Sequence, residues 1–197
     1  MVSTQKKSPP GRTNIMKALT TLLADNDFHS ITTASIAREA GVTEGLIYKY
    51  FKDKKDLLYQ VLGDNFSLFY DHVAQKLPQN KTCVQKLKTI IRTTIKAYVN
   101  NRVFARIILL EVRNSPDYFD CPAYDMVKLY SSTILDLIRQ GQESGEIRGD
   151  VDPYAFRKII FGAMEHACLG EVIFNREMNP EQVADQINTI LFAGVQS

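Results

Sequence analysis

The sequence predicts an all-α protein of about nine helices, and three observations carry that prediction. Apolar residues recur at helical spacing through nearly all of the 197 residues. No segment alternates apolar and polar as a half-buried strand does. Capping residues, glycines and prolines then cut the pattern into pieces of helical length. Helices with apolar stripes bury them against one another, which makes the class all-α.

The first helix runs from about Arg12 to Asp25, with Ile15, Ala18, Leu19, Leu22 and Leu23 on one face. It ends at Asn26 and Asp27, which tolerate a left-handed backbone. The second starts at Thr32 or Thr33, either of which can cap it. Its inner face is Ile36, Ala37 and Ala40, and Gly41 stops it. Thr43 caps a third, to about Phe51. Asp53 caps a fourth, to about Lys76, with Leu58, Leu62, Phe66, Phe69 and Val73 as its stripe and Pro78 just beyond. Thr82 to Asn100 carries Val84, Leu87, Ile91, Ile95 and Tyr98. Arg102 to Arg113 carries Phe104, Ile107, Ile108 and Glu111 on one face. Asn114 to Pro122 reads as a loop. Ala123 to Ser144 carries Val127, Tyr130, Ile134 and Ile138. After a polar break at Gly145 to Asp152, Pro153 opens a helix to about Phe174, and Pro180 opens the last, to about Phe192. These pieces group as a flexible basic arm (1–11), a small helical domain (12–56) and a larger helical body (57–197).

The formal net charge is only +2, but residues 1–60 hold nine Lys/Arg against six acids, and the remainder fifteen against sixteen. A modestly basic head on a near-neutral body suits phosphate contact at one end. The three cysteines are far apart and lack metal-ligand spacing, which suggests free thiols in a reducing compartment. The first residues have no apolar signal core, and no stretch is long enough to span a membrane. The expectation is a cytoplasmic protein without membrane contact. His29, His72 and His166 are dispersed and form no metal constellation. There is no nucleophile–base pair, Gly-rich phosphate loop or carboxylate dyad. Neither metal, cofactor nor catalysis is expected.

The informative stretch is Ile31 to Leu58, a short helix, a glycine turn, a second short helix and the start of a longer one. On a wheel of roughly 100° per residue, Ile47 and Phe51 of the third helix face inward and Lys49 points away. Gly45 lies near Lys49, flanked by Leu46 and Tyr48. Such a face is a poor solvent surface but a good groove surface. Glycine admits close approach, lysine can meet guanine edges or phosphate, and leucine can touch a thymine methyl. Tyr48, Tyr50 and Lys54 are placed to donate to phosphate oxygens. The start of the second helix, Thr33 to Ser35, can offer N–H groups and hydroxyls to another phosphate. Glu44 admits two readings, a first-turn acid favoured by the helix dipole or an acceptor for a cytosine amino group.

The run IARxAGVTxGxIYxYFxxKxxLL, here Ile36 to Leu58, resembles the DNA-binding domain of the TetR family of bacterial repressors. The likeness begins near Ile15 and covers about the first sixty residues. It implies that helices one to three read DNA and that helix four leads into a larger domain that binds a small ligand and dimerises. By position in the motif it implies DNA contact at Thr33, Thr43, Glu44, Gly45, Leu46, Tyr48, Lys49, Tyr50 and Lys54. One departure is Asp27, where the family usually has glycine before the Phe-His of the first loop. Asn26 and Asp27 can supply the same turn.

One such reader contacts too few base pairs for useful specificity. The chain is therefore expected to act as a homodimer on half-sites about one turn (~34 Å) apart or somewhat more. The apolar helix from Pro153 to Phe174 suits the seam, with Ile159 and the stripe Gly162, His166 and Gly170. The last helix, with Val183, Ile187, Ile190 and Leu191, could complete a four-helix interface. The alternative is that both are core of one subunit. A histidine on such a helix is more often a packing residue than a sensor. Phe104, Ile107, Ile108 and Glu111 could line an effector pocket with Glu111 as polar anchor, and Tyr124, Tyr130, Ile134 and Met164 could complete it. The bland reading makes Glu111 an ion-pair partner within the scaffold and the others plain core. The stretch GEIRGDVDPYAFRKIIFGAMEH is similar to the entry into the dimerising helix in branches of the family that include sensors of fatty acyl-coenzyme A.

The sequence thus leads to a ligand-responsive regulator, a repressor first of all. It would bind palindromic double-stranded DNA as a homodimer and be released by a small, mostly apolar effector, an acyl compound among the candidates. The alternative is a helical small-molecule-binding protein whose reader no longer works.

Overall fold

The computed structural model describes residues 9–77 and 80–195. Residues 1–8 of the expected arm and Pro78 lie outside them, and Pro10 and Gly11 already belong to the first helix. The described residues form nine α-helices: α1 Pro10–Asp25, α2 Thr33–Ala40, α3 Glu44–Tyr50, α4 Lys54–Gln75, α5 Cys83–Asn100, α6 Arg102–Arg106, α7 Pro122–Glu143, α8 Pro153–Phe174 and α9 Pro180–Ala193. The chain divides into two compact units between Asp64 and Asn65, inside α4. The division falls later than the 56/57 boundary read from the sequence, because Leu57, Leu58, Val61 and Leu62 are still buried residues of the first unit.

In the first unit the inward faces of α1, α2 and α3 meet in a core that includes Ile15, Leu19, Leu23, Ile36, Ile47 and Phe51. Its helix ends are closed locally. Thr32 caps α2 in a reciprocal box, in which the Ser35 N–H donates to Thr32 Oγ1 and the Thr32 N–H to Ser35 Oγ, both at 3.1 Å. Gly41 ends α2 at φ 66° and ψ 36°, a left-handed geometry that costs glycine nothing. Asp53 Oδ1 accepts the Asp56 N–H at 2.8 Å and so caps α4.

The second unit is built around α5, which packs against α7, α8 and α9. Leu87, Ile90, Ile91 and Ile95 of α5 meet Ile134, Ile138, Ile160, Met164 and Phe192 in one core cluster. The caps follow the sequence closely. Thr82 and Gln85 form the box at the start of α5, Asp152 Oδ1 accepts the Ala155 N–H at 2.6 Å, and Asn179 Oδ1 accepts the Glu181 and Gln182 N–H groups. Ion pairs from Arg92 and Lys96 to Glu181 lie between α5 and α9.

The expected helix from Arg102 to Arg113 is broken. α6 ends at Arg106, a π turn spans Ile107–Glu111, and a 3-10 turn spans Val112–Asn114. The Val112 N–H reaches back five residues to the Ile107 carbonyl. That wider register puts Val112 on the inner face with Ile107 and Ile108. Glu111, read as part of that face, is rotated to a half-buried position. The expected loop after it holds a further 3-10 turn, Pro116–Asp120, with Tyr118 buried.

Glu146, just after α7, closes the start of α5 from a distance. Its carboxylate accepts the Cys83 N–H at 3.1 Å and the Val84 N–H at 2.9 Å. Desolvation works against the charged form, but these bonds, with those from Thr82 and Ser144, hold the carboxyl below its usual value. A carboxyl lowered by folding adds stability above its unfolded pKa and loses it as pH falls through the folded value. We therefore expect Glu146→Gln to lower the melting temperature at pH 7 and to flatten the loss of stability below about pH 4.5. Thermal melts from pH 7 to pH 3 check this. An unchanged acid slope would remove Glu146 from the account.

Candidate nucleic-acid interface and effector cavity

α3 is the candidate reader, and burial sets its rotation. Ile47 is fully buried and Phe51 nearly so. Glu44, Gly45, Lys49 and Tyr48 lie on the open side, Tyr48 at 57% exposure. A Cβ at Gly45 would meet nothing within 4 Å, so this glycine marks an open approach to the backbone. Leu46 and Tyr50 are half-buried because the start of α1 covers them. A Cβ at Gly11 would lie 3.1 Å from Leu46 Cδ2 and 3.5 Å from the Tyr50 ring.

Glu44 has a third role that neither sequence reading contained. Its Oε2 accepts from the Thr33 hydroxyl at 2.9 Å, and the Tyr48 hydroxyl approaches the same Thr33 oxygen at 3.5 Å. The starts of α2 and α3 are thereby tied together, and Thr33 is engaged within the chain. Ser35 is likewise engaged in the α2 cap. Thr43 stands exposed in the cap position of α3 and makes no side-chain capping bond.

Lys54 requires a correction. The motif places it at phosphate, but its ammonium donates to the Phe28 carbonyl at 2.8 Å, the Ile31 carbonyl at 2.6 Å and the His29 carbonyl at 3.4 Å. It also lies 4.5 Å from the Phe28 ring centroid. An ammonium has three donors, and all three are used. Lys54 clasps the loop between α1 and α2, and desolvation there lowers its pKa.

The second unit contains a cavity of about 680 Å³, within the size range of small-molecule sites. Phe104, Ile108, Tyr124 and Tyr130 line it as expected. Ile107, Glu111, Ile134 and Met164 do not. Ile134 and Met164 point into the unit's core, Ile107 is buried elsewhere in the π turn, and Glu111 is turned aside by its register. The polar centre is instead the pair Arg113 and Glu165. Two guanidinium N–H groups donate to the two carboxylate oxygens at 2.8 and 2.5 Å, and this bidentate bond raises the Arg113 pKa. Tyr98 lies half-buried beside it, and desolvation first, then the Glu165 charge, push its phenol well above the usual range. It therefore stays protonated as a donor. Tyr130 is likewise raised by burial and shares a 2.5 Å hydrogen bond with Thr94. Lys128 and Arg157 add two cations to the lining. Lys128 pairs with Asp125. Arg157 stacks over the Tyr154 ring at 5.7 Å.

Arg113 and Glu165 sit 52 residues apart. The sequence signal for them was slight, since Glu165 is one of two acids, with Glu171, on a mostly apolar stretch of α8.

On α8, Ile159 is 55% exposed, and Gly162 and His166 also face outward. His166 does not pack within the second unit of its own chain, so packing for it would have to come from a second copy. Gly170 is half-buried, and the exposed Ile173 and Phe174 extend the apolar face. On α9, Ile190 is 75% exposed. Val183, Ile187 and Leu191 differ from expectation in part, since they are half-buried against the unit's own core. No group of three or more potential metal ligands occurs among the described residues. No helix there is long and apolar enough to cross a membrane.

Comparison with known proteins agrees with this geometry. Residues 15–61 match the model for bacterial regulatory proteins of the tetR family. Residues 62–194 match the model for the C-terminal region of YsiA-like proteins. The fatty acid metabolism regulator protein of Bacillus subtilis is 24% identical over 192 residues, which span 98% of this chain and 99% of that one. Among solved structures, FadR from Bacillus subtilis in complex with stearoyl-CoA superposes with a TM-score of 0.83 at 24% identity, covering 93% of this chain and 99% of that one. AibR in complex with isovaleryl coenzyme A and operator DNA superposes at 0.74 with 20% identity, covering 92% and 98%. At these identities the superpositions establish the fold.

Lys49→Ala removes an exposed cation and no packing. It should weaken binding to the DNA flanking the protein's own gene by about tenfold or more, since a good base contact is worth roughly 1–3 kcal/mol. Fluorescence anisotropy at two salt concentrations measures this, with sedimentation to show the oligomer intact. Equal affinity for the variant at both salts would remove α3 as the reader.

Proposed function

The chain belongs to the tetR family of bacterial regulatory proteins, and from that premise we propose that it is a homodimeric transcriptional repressor released from DNA by an acyl thioester of coenzyme A. It acts by binding, without catalysis, in the cytoplasm. The observation that carries the reading is the outward face of α3, with Gly45, Tyr48 and Lys49 open and Ile47 buried behind them. A palindromic operator follows from two-fold symmetry, with one α3 in each half-site. The open apolar residues of α8 and α9 support a seam between two copies.

The effector reading rests on the cavity and on the relatives. The cavity combines apolar walls with Arg157, a guanidinium not paired with an acid among the described residues, so it suits a ligand with an apolar body and an anionic part. Two proteins of the same fold were solved with coenzyme A thioesters. Such a ligand releases DNA only if it binds the released state more tightly than the DNA-bound state.

The test is a gel shift of the purified chain on its own upstream DNA, titrated with acyl-CoA esters, free fatty acids and coenzyme A. Release by thioesters, and not by coenzyme A alone, is the expected result. Arg157→Ala should raise the thioester concentration needed by about fivefold or more, the loss of one charge-assisted contact, while leaving DNA affinity unchanged. Retention of the shift at saturating thioester would overturn the effector assignment, and absence of any shift would overturn the repressor assignment.

A further inference from the structure

We infer that the acyl part of the effector carries a ring and is not a straight alkyl chain. The inference deepens the reading of the cavity as an acyl-thioester site and rests on it. Nine of the lining residues are aromatic, against three aliphatic ones, Ala97, Ile108 and Val127. The rings pair edge to face in three groups along the wall. Phe69 meets Tyr130 at 5.3 Å and 71°, and Tyr130 meets Phe161 at 5.8 Å and 88°. Phe119 meets Tyr124 at 5.0 Å and 80°, and Phe66 meets Phe104 at 5.2 Å and 68°.

Edge-to-face pairing holds neighbouring rings close to perpendicular, so the wall offers both ring edges and ring faces. A flat ring can complete that pattern, because its positive edge and negative face each find a complement. An alkyl chain has no quadrupole and gains only from the area it buries. It also loses several free torsions on binding, whereas a ring is already rigid. The protonated phenol of Tyr98 adds a donor beside the rings, which a polar group on the ligand can use.

Two thioesters of equal acyl carbon number separate the alternatives. Octanoyl-CoA buries more apolar hydrogen-bearing surface, so simple hydrophobicity favours it, whereas phenylacetyl-CoA offers a ring. Calorimetric titration of the full chain should show phenylacetyl-CoA binding about fivefold or more tightly than octanoyl-CoA, with coenzyme A alone as the baseline. Phe161→Leu keeps most of the volume and removes a ring, so it should narrow the gap by weakening phenylacetyl-CoA while leaving octanoyl-CoA within about twofold. Phe119→Leu, at a partly exposed wall position, should do the same and guards against a folding defect in the first variant. Equal or tighter binding of octanoyl-CoA overturns the inference and leaves the thioester reading standing. Failure of both thioesters to bind above the coenzyme A baseline overturns both.

Discussion

The burial of Ile47 and Phe51 fixes how α3 is turned, and the outward chemistry of the first unit follows from it. α3 has seven residues, far fewer than an isolated helix needs to persist in water. It exists because its inner side is buried, a gain of roughly 1.5–3 kcal/mol for each large apolar side chain. With those residues inward, the helical period leaves no freedom for Gly45, Tyr48 and Lys49. The Glu44–Thr33 bond and the Lys54 clasp act on the same problem. They hold the starts of α2, α3 and α4 in register and leave Gly45 and Lys49 open. A carboxylate on a surface meant for phosphate is unfavourable when free, and its hydrogen bond to Thr33 gives it a structural partner.

Most element boundaries were legible because they depend on local chemistry. Thr32 and Asp53 cap α2 and α4 through a side-chain oxygen, as their residue types suggest, whereas Thr43 precedes α3 without such a bond. Gly41 adopts the left-handed geometry expected of a stop. The reader face was legible for the same reason, since seven residues on a wheel need only one phase. The break after Arg106 was not. Ile107, Ile108 and Glu111 fit an α-helical face perfectly well, and the choice of a π turn is made by packing across the unit. The pocket suffered accordingly. Phe104, Ile108, Tyr124 and Tyr130 face the cavity, while Ile134 and Met164 lie on neighbouring turns that point to the core. The side chains that give the cavity its polarity come from three separate segments, and no spacing rule connects them. Lys54 shows the converse limit, since a motif gives a residue's position but not where its donors go.

The Arg113–Glu165 pair is half-exposed, and such pairs add little to stability because water screens them. Its consequence is for recognition. It neutralises one cation of the lining and leaves Arg157 as the guanidinium without an acid partner among the described residues. Lys128 is paired with Asp125 in the same way, so an anionic ligand meets its uncompensated positive charge at Arg157. It meets a neutral, hydrogen-bonded surface at Arg113, where an acyl carbonyl or a polar ring substituent can sit without opposing charge.

Release of DNA sets a demand on the cavity that its size alone does not meet. Moving an equilibrium from 1:99 to 99:1 takes about 5.5 kcal/mol of differential affinity. An apolar group of eight carbons gains about 6 kcal/mol from complete burial, at ~0.8 kcal/mol per carbon. The acyl group can therefore drive the switch fully by itself only if nearly all its burial is denied in the DNA-bound state. The cavity wall must differ between the two states, and not only fill. The segment best suited to that change runs from α6 through the π turn and the 3-10 turns after it, because it contributes Phe104, Ile108, Arg113 and Phe119 to the lining and is not one regular α-helical ladder. Phe66, on the part of α4 that belongs to the second unit, packs edge to face on Phe104 of that segment. A ring inserted against Phe66 and Phe104 would thus act first on this irregular part of the wall.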